Sequence, residues 1–199
     1  MIKSLILDVD NVLADSIRTW CTLAKRRLGI DVNFDSITNH KLVGCVSASP
    51  EEIFRLQDYV WENWRRLKPL EEDIQRTMEK IRQISVEIVI ATSGPKRHIP
   101  HVKDWLALRR IDYDRFYPVT HKFSINADAL VDDSLEEIIL FASRGRSAFL
   151  YDQPWNRSTE ESSFTRIPNL RTLPSILQKD KFWARGNDLI VRSRDLVHV

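Results

Sequence analysis

The chain is predicted to adopt an α/β fold, a doubly wound parallel sheet with an inserted helical cap. Short apolar strands alternate with longer helical patterns, which is typical of parallel sheets covered by helices. The strands are apolar almost throughout, as expected of strands buried on both faces. About 78 residues separate the first two strands and are predicted to contain only helices, far more than a crossover needs. We therefore expect an α/β core at 1–14 and 84–180, a helical cap at 15–83 and a tail of unassigned structure at 181–199.

The first part of the chain is predicted to contain one strand followed by helices. The elements are a strand at 2–8 and helices at 15–29, 50–67 and 70–84, with 31–49 unassigned. Gly29 ends the first helix because glycine readily takes the left-handed conformation found beyond a helix end. Ser49 is a suitable N-cap, and Pro50 suits the first position of the helix that follows.

The remainder of the chain alternates between strands and helices. The predicted strands are 86–91, 116–119, 129–131 and 148–151, and the predicted helices run from about 96 to 110, over 135–143 and over 173–179. Ser134 is expected to cap the second of these helices. Gly186 and Asn187, between apolar runs, fit a hairpin turn.

Composition excludes several classes of protein. The 199 residues are 43% hydrophobic and 29% charged, which fits a globular protein, and the net charge of +2 is too small to indicate a nucleic-acid partner. Cys21 and Cys45 form no metal-binding pattern, which argues against a zinc site and favours a reducing compartment. We find no membrane-length apolar run or signal peptide, so we expect a cytoplasmic monomer or homodimer without a membrane partner.

Two acids close the first predicted strand. Asp8 and Asp10 are two positions apart, so in an extended chain their side chains point to the same side. Parallel sheets bind ligands at the carboxyl ends of their strands. Because paired carboxylates resist burial without a compensating charge, the pair is a candidate for chemistry rather than for stability.

Three further polar groups follow later strands. They are Thr92 with Ser93, then Lys122, then Asp132 with Asp133. In a doubly wound sheet these strand ends converge on one crevice. Carboxylates suit Mg²⁺, hydroxyls donate to phosphate oxygens and a lysine balances anionic charge, so together they favour phosphoryl transfer.

The order of these motifs resembles the haloacid dehalogenase superfamily of phosphohydrolases, and within it the 5′(3′)-deoxyribonucleotidase family. The segments that carry the resemblance are Asp8 to Asp15, Thr92 to Pro95, Lys122 to Asp133 and Gln153 to Arg157. The resemblance covers the core, about residues 1–14 and 84–152, and implies a haloacid dehalogenase-like Rossmannoid sheet. Asn11 departs from the family pattern, which usually has glycine there, although related phosphatases carry asparagine. The cap sequence matches no pattern that would identify the substrate.

The resemblance implies a role for each core motif. Asp8 would be the nucleophile that forms an aspartyl-phosphate, and Asp10 would protonate the leaving alkoxide and then deprotonate water. Lys122 would neutralise charge on the phosphate and on Asp8. The implied Mg²⁺ ligands are the Asp8 side chain, the Asp10 carbonyl and Asp133, with Asp132 acting directly or through another group. The implied phosphate-binding hydroxyls are those of Thr92 and Ser93.

The implied substrate is a small phosphorylated molecule, most simply a (deoxy)nucleoside monophosphate. Phe34, Trp61 and Trp155 are candidate contacts for a nucleobase, although each would also serve as ordinary core filling. Trp20 and Trp64 are predicted to belong to the core, His121 to be structural or solvent-facing, and Lys96 with Arg97 to be a solvated helix face.

Other functions stay open at this point. The same chemistry could act on sugar phosphates, or the scaffold could be a non-catalytic phosphate-binding module. A signalling receiver domain uses similar residue types, but there the lysine comes last in the chain. Here Lys122 precedes Asp132 and Asp133, which argues against it.

Overall fold

A computed structural model of the chain describes residues 2–84, 86–158 and 163–178. Its strands are β1 (Ser4–Asp8), β2 (Glu87–Thr92), β3 (Arg115–Pro118), β4 (Ala129–Asp132), β5 (Ser147–Tyr151) and β6 (Thr165–Ile167). Its helices are α1 (Ser16–Leu28), α2 (Pro50–Glu62), α3 (Ile74–Gln83), α4 (Ile99–Leu108) and α5 (Leu135–Ala142). Residues 173–178 are also helical. No helix within these described ranges combines the length and the apolar character needed to cross a bilayer.

The six strands form one parallel sheet in the order β3-β2-β1-β4-β5-β6. From β1 the chain proceeds outward through β2 and β3, then returns to the other side of β1 and continues through β4, β5 and β6. The order of the strands therefore reverses between β1 and β4, and doubly wound sheets bind ligands at this switch point. Asp8 lies at the end of β1 and Asp132 at the end of β4, so both flank that point.

The two faces of the sheet pack against different helices. Leu5 and Leu7 of β1 belong to a hydrophobic cluster with α1 to α4, whereas Ile6 between them belongs to a second cluster with α5. This alternation follows from the two-residue repeat of a strand. Trp105 of α4 is fully buried on the first face, and Phe141 of α5 is fully buried on the second. The predicted doubly wound α/β sheet is therefore confirmed.

Several predicted helix ends are confirmed in detail. Gly29 follows α1 with a φ of 70°, the left-handed conformation expected at that position. Ser49 and Glu52 form a reciprocal capping box at the start of α2. Ser134 does occupy the N-cap position of α5, but its side chain makes no capping hydrogen bond.

Other predictions need correction. The helix predicted to reach Leu67 ends at Glu62, and a separate 3-10 turn follows at Trp64–Arg66. Strand β6 was not predicted, because three residues are too few for a periodic signal. The predicted hairpin at 186–187 and the tail at 181–199 lie outside the described residues.

The helices between β1 and β2 join the sheet through two paired segments. The Asp15 N–H donates to the Lys68 carbonyl at 3.0 Å, and the Leu70 N–H donates to the Leu13 carbonyl at 2.7 Å. The segment by which the chain leaves the core and the segment by which it returns therefore lie next to each other. The Trp105 indole donates to the Leu67 carbonyl at 2.8 Å and ties the returning segment to α4. The division into a core and a cap at 15–83 stays a prediction.

Candidate active site

A cavity of about 580 Å³ lies where β1, β2 and β4 end. Most of the predicted site residues line it: Asp8, Asp10, Trp61, Ser93, Lys122, Asp132 and Asp133. The remaining three, Thr92, Phe34 and Trp155, are not among the lining residues. One side of the cavity is formed by α1 and α2, and we call this side the helical wall, which comprises Ser16, Ile17, Trp20, Phe54, Gln57, Asp58, Val60 and Trp61.

Three buried carboxylates meet at the bottom of the cavity. Oxygens of Asp8, Asp132 and Asp133 lie within 4.8 Å of one another, and we call this group the acidic cluster. The Lys122 Nζ lies 2.9 Å from the Asp8 Oδ1 and 2.7 Å from the Asp132 Oδ2. All four side chains are buried. The set carries three potential negative charges and one positive charge, so a divalent cation would balance it.

Burial and mutual repulsion perturb the acidic cluster strongly. Burial raises the pKa of Asp8 to about 8, because the opposing attraction of Lys122 is smaller and Asp132 and Asp10 add repulsion. Burial and the neighbouring Asp132 and Asp8 also raise the pKa of Asp133 well above its ordinary value. Burial disfavours the charge on Lys122, but the adjacent Asp132 and Asp8 outweigh it and raise the lysine pKa. Lys122 is therefore a permanent cation in this site.

Asp132 and Asp133 have different environments. Asp132 accepts from the Lys122 Nζ on one oxygen and from the Ser134 N–H, at 2.8 Å, on the other. Asp133 accepts on Oδ2 from the Trp155 indole at 3.1 Å and from the Asn11 amide at 3.4 Å, while its Oδ1 has no hydrogen-bond partner in the described part of the chain. Asp133 is thus the better candidate for direct metal coordination, and Asp132 is suited to holding Lys122.

Asn11 organises the turn after β1. Its φ of 58° is left-handed, which asparagine tolerates better than most residues and which explains why glycine suits this position. Its Oδ1 accepts from the Ser16 hydroxyl at 3.0 Å and from the Ile17 N–H at 3.1 Å, and so caps α1. Its carbonyl accepts from the Gln153 amide at 2.8 Å. The sequence offered only the departure from glycine as a signal of this role.

Asp10 lies apart from the acidic cluster. Its Oδ1 accepts from the Trp61 indole at 3.1 Å, and its side chain is not among the clustered carboxylates. Burial raises its pKa, although the neighbouring Ser16 hydroxyl and the Trp61 indole partly oppose the shift. The carboxyl is therefore set apart from Asp8 in environment and in position, as expected for a different chemical role.

The two hydroxyls at the end of β2 are not equivalent. Ser93 and Gly94 line the cavity, whereas Thr92 is 1% exposed and its Oγ1 accepts from the Gly94 N–H at 3.2 Å. Thr92 thus fixes the turn that presents Ser93. Phosphate binding by Thr92 stays a prediction, and Ser93 is the better placed of the pair.

A buried carboxylate that the sequence did not indicate holds the loop carrying Lys122. Glu137 of α5 accepts the Lys122 N–H at 2.8 Å and contacts the His121 ring nitrogen Nδ1 at 2.9 Å with its other oxygen. Glu137 is 8% exposed, whereas its neighbour Glu136 is exposed. The predicted structural role of His121 is supported by this contact, although the ring also lines the cavity.

The aromatic candidates divide into two groups. Trp61 lines the cavity, as does Trp20, which is 1% exposed and donates to the Ile53 carbonyl at 3.1 Å. Phe34 instead lies 3.5 Å beneath the Arg18 guanidinium, and its ring meets that of Trp155 edge-on at 5.9 Å. Because Arg18 covers Phe34 and Asp133 binds the Trp155 indole, their predicted contact with substrate lacks the support that Trp61 has.

The helical wall contains two residues that the sequence did not single out. Phe54 of α2 lines the cavity although it is 53% exposed, and Asp58 lies one turn further along the helix. The Asp58 Oδ1 contacts the His98 Nε2 at 3.0 Å and the Arg97 guanidinium at 2.5 Å. Arg97 is therefore paired with α2 rather than simply solvated.

Solved structures with the same fold include phosphatases and other hydrolases of the haloacid dehalogenase superfamily. A haloacid dehalogenase phosphatase from Thermococcus onnurineus is 17% identical, with a TM-score of 0.56 over 88% of this chain and 98% of its own. A subfamily IA haloacid dehalogenase hydrolase from Geobacter sulfurreducens is 16% identical, with a TM-score of 0.56 over 88% and 96%. CbbY from Rhodobacter sphaeroides, solved with phosphate, is 15% identical, with a TM-score of 0.55 over 87% and 96%. These similarities show the haloacid dehalogenase-like fold.

Sequence comparison identifies the family. No curated protein sequence matches the chain significantly. The family described as "5' nucleotidase, deoxy (Pyrimidine), cytosolic type C protein" matches residues 1–195, which is nearly the whole chain. The chain therefore belongs to this deoxy 5′-nucleotidase family and is a phosphatase of the hydrolase class.

Proposed function

We propose that the protein is a Mg²⁺-dependent phosphomonoesterase that acts through an aspartyl-phosphate on Asp8, with a (deoxy)nucleoside monophosphate as substrate. The observation that carries the proposal is the position of Lys122, 2.9 Å from Asp8 and 2.7 Å from Asp132, in the cavity that Asp10 and Ser93 also line. A nucleophile, an acid, a cation and a hydroxyl donor thus share one pocket.

In the first step an Asp8 carboxylate oxygen attacks the phosphorus atom. The bond from phosphorus to the ester oxygen breaks, and that oxygen takes the proton of the Asp10 carboxyl and leaves as an alcohol. Lys122 neutralises charge on Asp8 and on the phosphoryl oxygens, and the Ser93 hydroxyl donates to one of them. The raised pKa of Asp10 favours the protonated form that this step needs.

In the second step water replaces Asp8 on phosphorus. The Asp10 carboxylate takes one proton from the water molecule, whose oxygen attacks phosphorus as the bond to the Asp8 oxygen breaks. Inorganic phosphate leaves, Asp8 is again a carboxylate and Asp10 again carries a proton. Each group therefore returns to its starting state.

The residues present fit Mg²⁺ well. The donors are oxygens only, the carboxylates are buried, and that burial, together with repulsion between the carboxylates, raises the pKa values of Asp8 and Asp133. The Asp8 and Asp133 side chains and the Asp10 carbonyl would hold the ion, while Asp132 holds Lys122. When bound, the ion supplies two positive charges that offset the negative charges of the acids and of the phosphoryl group.

The substrate class is supported by family membership and by the cavity. A volume of about 580 Å³ lies in the range of small-molecule sites. The helical wall offers the apolar surfaces of Trp20, Phe54 and Trp61, which suit a planar base better than a bare sugar.

A phosphate-release assay tests the proposal. Nucleoside and deoxynucleoside 5′-monophosphates are compared with sugar phosphates, each with Mg²⁺ and with a chelator. We expect release only with Mg²⁺ and a higher kcat/KM for nucleotides. Equal values for sugar phosphates would reject the nucleotide assignment, and no release at all would favour a non-catalytic phosphate-binding module.

The covalent intermediate has its own test. An Asp10→Asn variant given p-nitrophenyl phosphate, whose leaving group needs no proton, can complete the first step but is slow in the second, so the phosphorylated Asp8 should accumulate. Borohydride reduction of the quenched variant, followed by mass spectrometry, should convert Asp8 to homoserine. An unmodified Asp8 peptide under these conditions would argue against the aspartyl-phosphate.

A further inference from the structure

We infer that Trp61 is a positioning residue for Asp10, through which the helical wall completes the acid that protonates the leaving group. The inference rests on the proposed function, because it assigns Trp61 a part in the proton transfer by Asp10. It differs from the predicted role of Trp61 as a contact for a nucleobase.

The hydrogen bond between the two residues is well defined. The Trp61 Nε1 donates to the Asp10 Oδ1 at 3.1 Å, across 51 positions of sequence. Trp61 is 6% exposed, and its ring meets that of Trp105 edge-on at 6.3 Å. Trp105 is itself held by its own bond to the Leu67 carbonyl. The indole therefore has a fixed place from which to orient the carboxyl.

The chemistry of the indole decides which oxygen of Asp10 carries the proton. An indole N–H is only a donor, so Oδ1 must accept. A carboxylic acid that accepts on one oxygen carries its proton on the other. Trp61 thus keeps the acidic proton on the Asp10 Oδ2, and Oδ1 cannot turn toward the substrate without losing its partner.

This role predicts a dependence on the leaving group that a purely structural role would not produce. A basic alkoxide, such as the 5′-oxygen of a nucleoside, needs a proton as it leaves, whereas p-nitrophenolate is stable without one. A misdirected acid therefore slows the first step, in which the alcohol leaves, much more for a nucleotide than for p-nitrophenyl phosphate.

The test compares Trp61→Phe with Asp10→Asn on both substrates. For Trp61→Phe at saturating substrate we expect the single-turnover rate of alcohol release from a deoxynucleoside monophosphate to fall about 10-fold or more, part of the 10²–10⁴ that general acid catalysis supplies. The corresponding rate for p-nitrophenyl phosphate should fall less than about 3-fold. Trp64→Phe is the matched control, because Trp64 is buried beneath Arg65 and is not among the lining residues. Trp64→Phe should leave the rates for both substrates nearly unchanged.

Each outcome is informative. If the first-step rate of Asp10→Asn depends on the leaving group but Trp61→Phe lowers that rate equally for both substrates, Trp61 does not position Asp10 and the inference fails while the proposed function stands. If Asp10→Asn itself shows no such dependence, the acid role in the proposed function fails, and the inference with it. Should Trp61→Phe not fold, the tryptophan isostere with sulfur in place of the N–H removes only the hydrogen bond, and the same ratio decides.

Discussion

The two sides of the cavity are built by different means. On the sheet side, Asp8, Asp132 and Lys122 are buried and bound to one another, and Glu137 fixes the loop that carries the lysine. The helical wall instead presents aromatic rings, one of them more than half exposed. This difference supports the proposal that the sheet side performs the chemistry, while the helical wall orients the acid and selects what is bound.

Removing the nucleophile should have the largest effect. Asp8→Asn is expected to lower phosphate release by about 10³-fold or more, since a neutral amide cannot form the covalent intermediate. The fold should persist, because an asparagine can still accept from Lys122. Phosphate release and circular dichroism measure the two effects. Asp112→Asn, the same change at an exposed position, is the control, and equal activity in both variants would contradict the comparison.

Metal removal should destabilise the sheet side in a pH-dependent way. Asp8 and Asp133 have raised pKa values, so between about pH 4 and pH 8 the folded metal-free protein binds more protons than the unfolded chain. Its stability should therefore fall as the pH rises through that range. Bound Mg²⁺ should offset the loss and raise the thermal midpoint at pH 8 by about 4 °C or more.

Thermal melts with a chelator and with Mg²⁺, at several pH values, check this expectation. Asp133→Asn should flatten the metal-free pH dependence and weaken the response to Mg²⁺. If the thermal midpoint of the metal-free protein instead rises toward pH 8, the acidic cluster does not govern the pH dependence of stability.

The loop that carries Lys122 should respond to loss of its carboxylate partner. Glu137→Ala removes the acceptors of the Lys122 N–H and of His121, so we expect kcat/KM to fall about 10-fold, while Glu137→Gln, which keeps one acceptor, should recover part of that loss. Steady-state phosphate release measures both. Glu79→Ala, at an exposed position of α3 that does not line the cavity, should leave kcat/KM nearly unchanged.

The smallest effect is expected on the helical wall. Phe54→Ala should raise KM for nucleoside monophosphates about 3-fold with little change in kcat, because a partly exposed ring contributes modest stacking energy. KM for a sugar phosphate should not change. A parallel rise for both substrates would mean that Phe54 does not contact a base.

Much of the sheet side could be predicted from the sequence. Two local patterns carry the prediction: one buried strand ends at Asp8 and Asp10, and another ends at Asp132 and Asp133. Parallel strands then bring these carboxyl ends together. Capping at Ser49 and the helix end at Gly29 are likewise set by neighbours in the chain.

What the sequence did not reveal depends on contacts between distant segments. Glu137 lies in an ordinary amphipathic helix, and only the packing of α5 brings it to Lys122. The Trp61 indole reaches Asp10, and the Trp155 indole reaches Asp133, through the path of the intervening chain. The sequence by itself determined the sheet and the acids at its strand ends, because these follow from local periodicity. The tertiary structure decided which side chains hold those acids in place, because such hydrogen bonds depend on the relative placement of elements far apart in the chain.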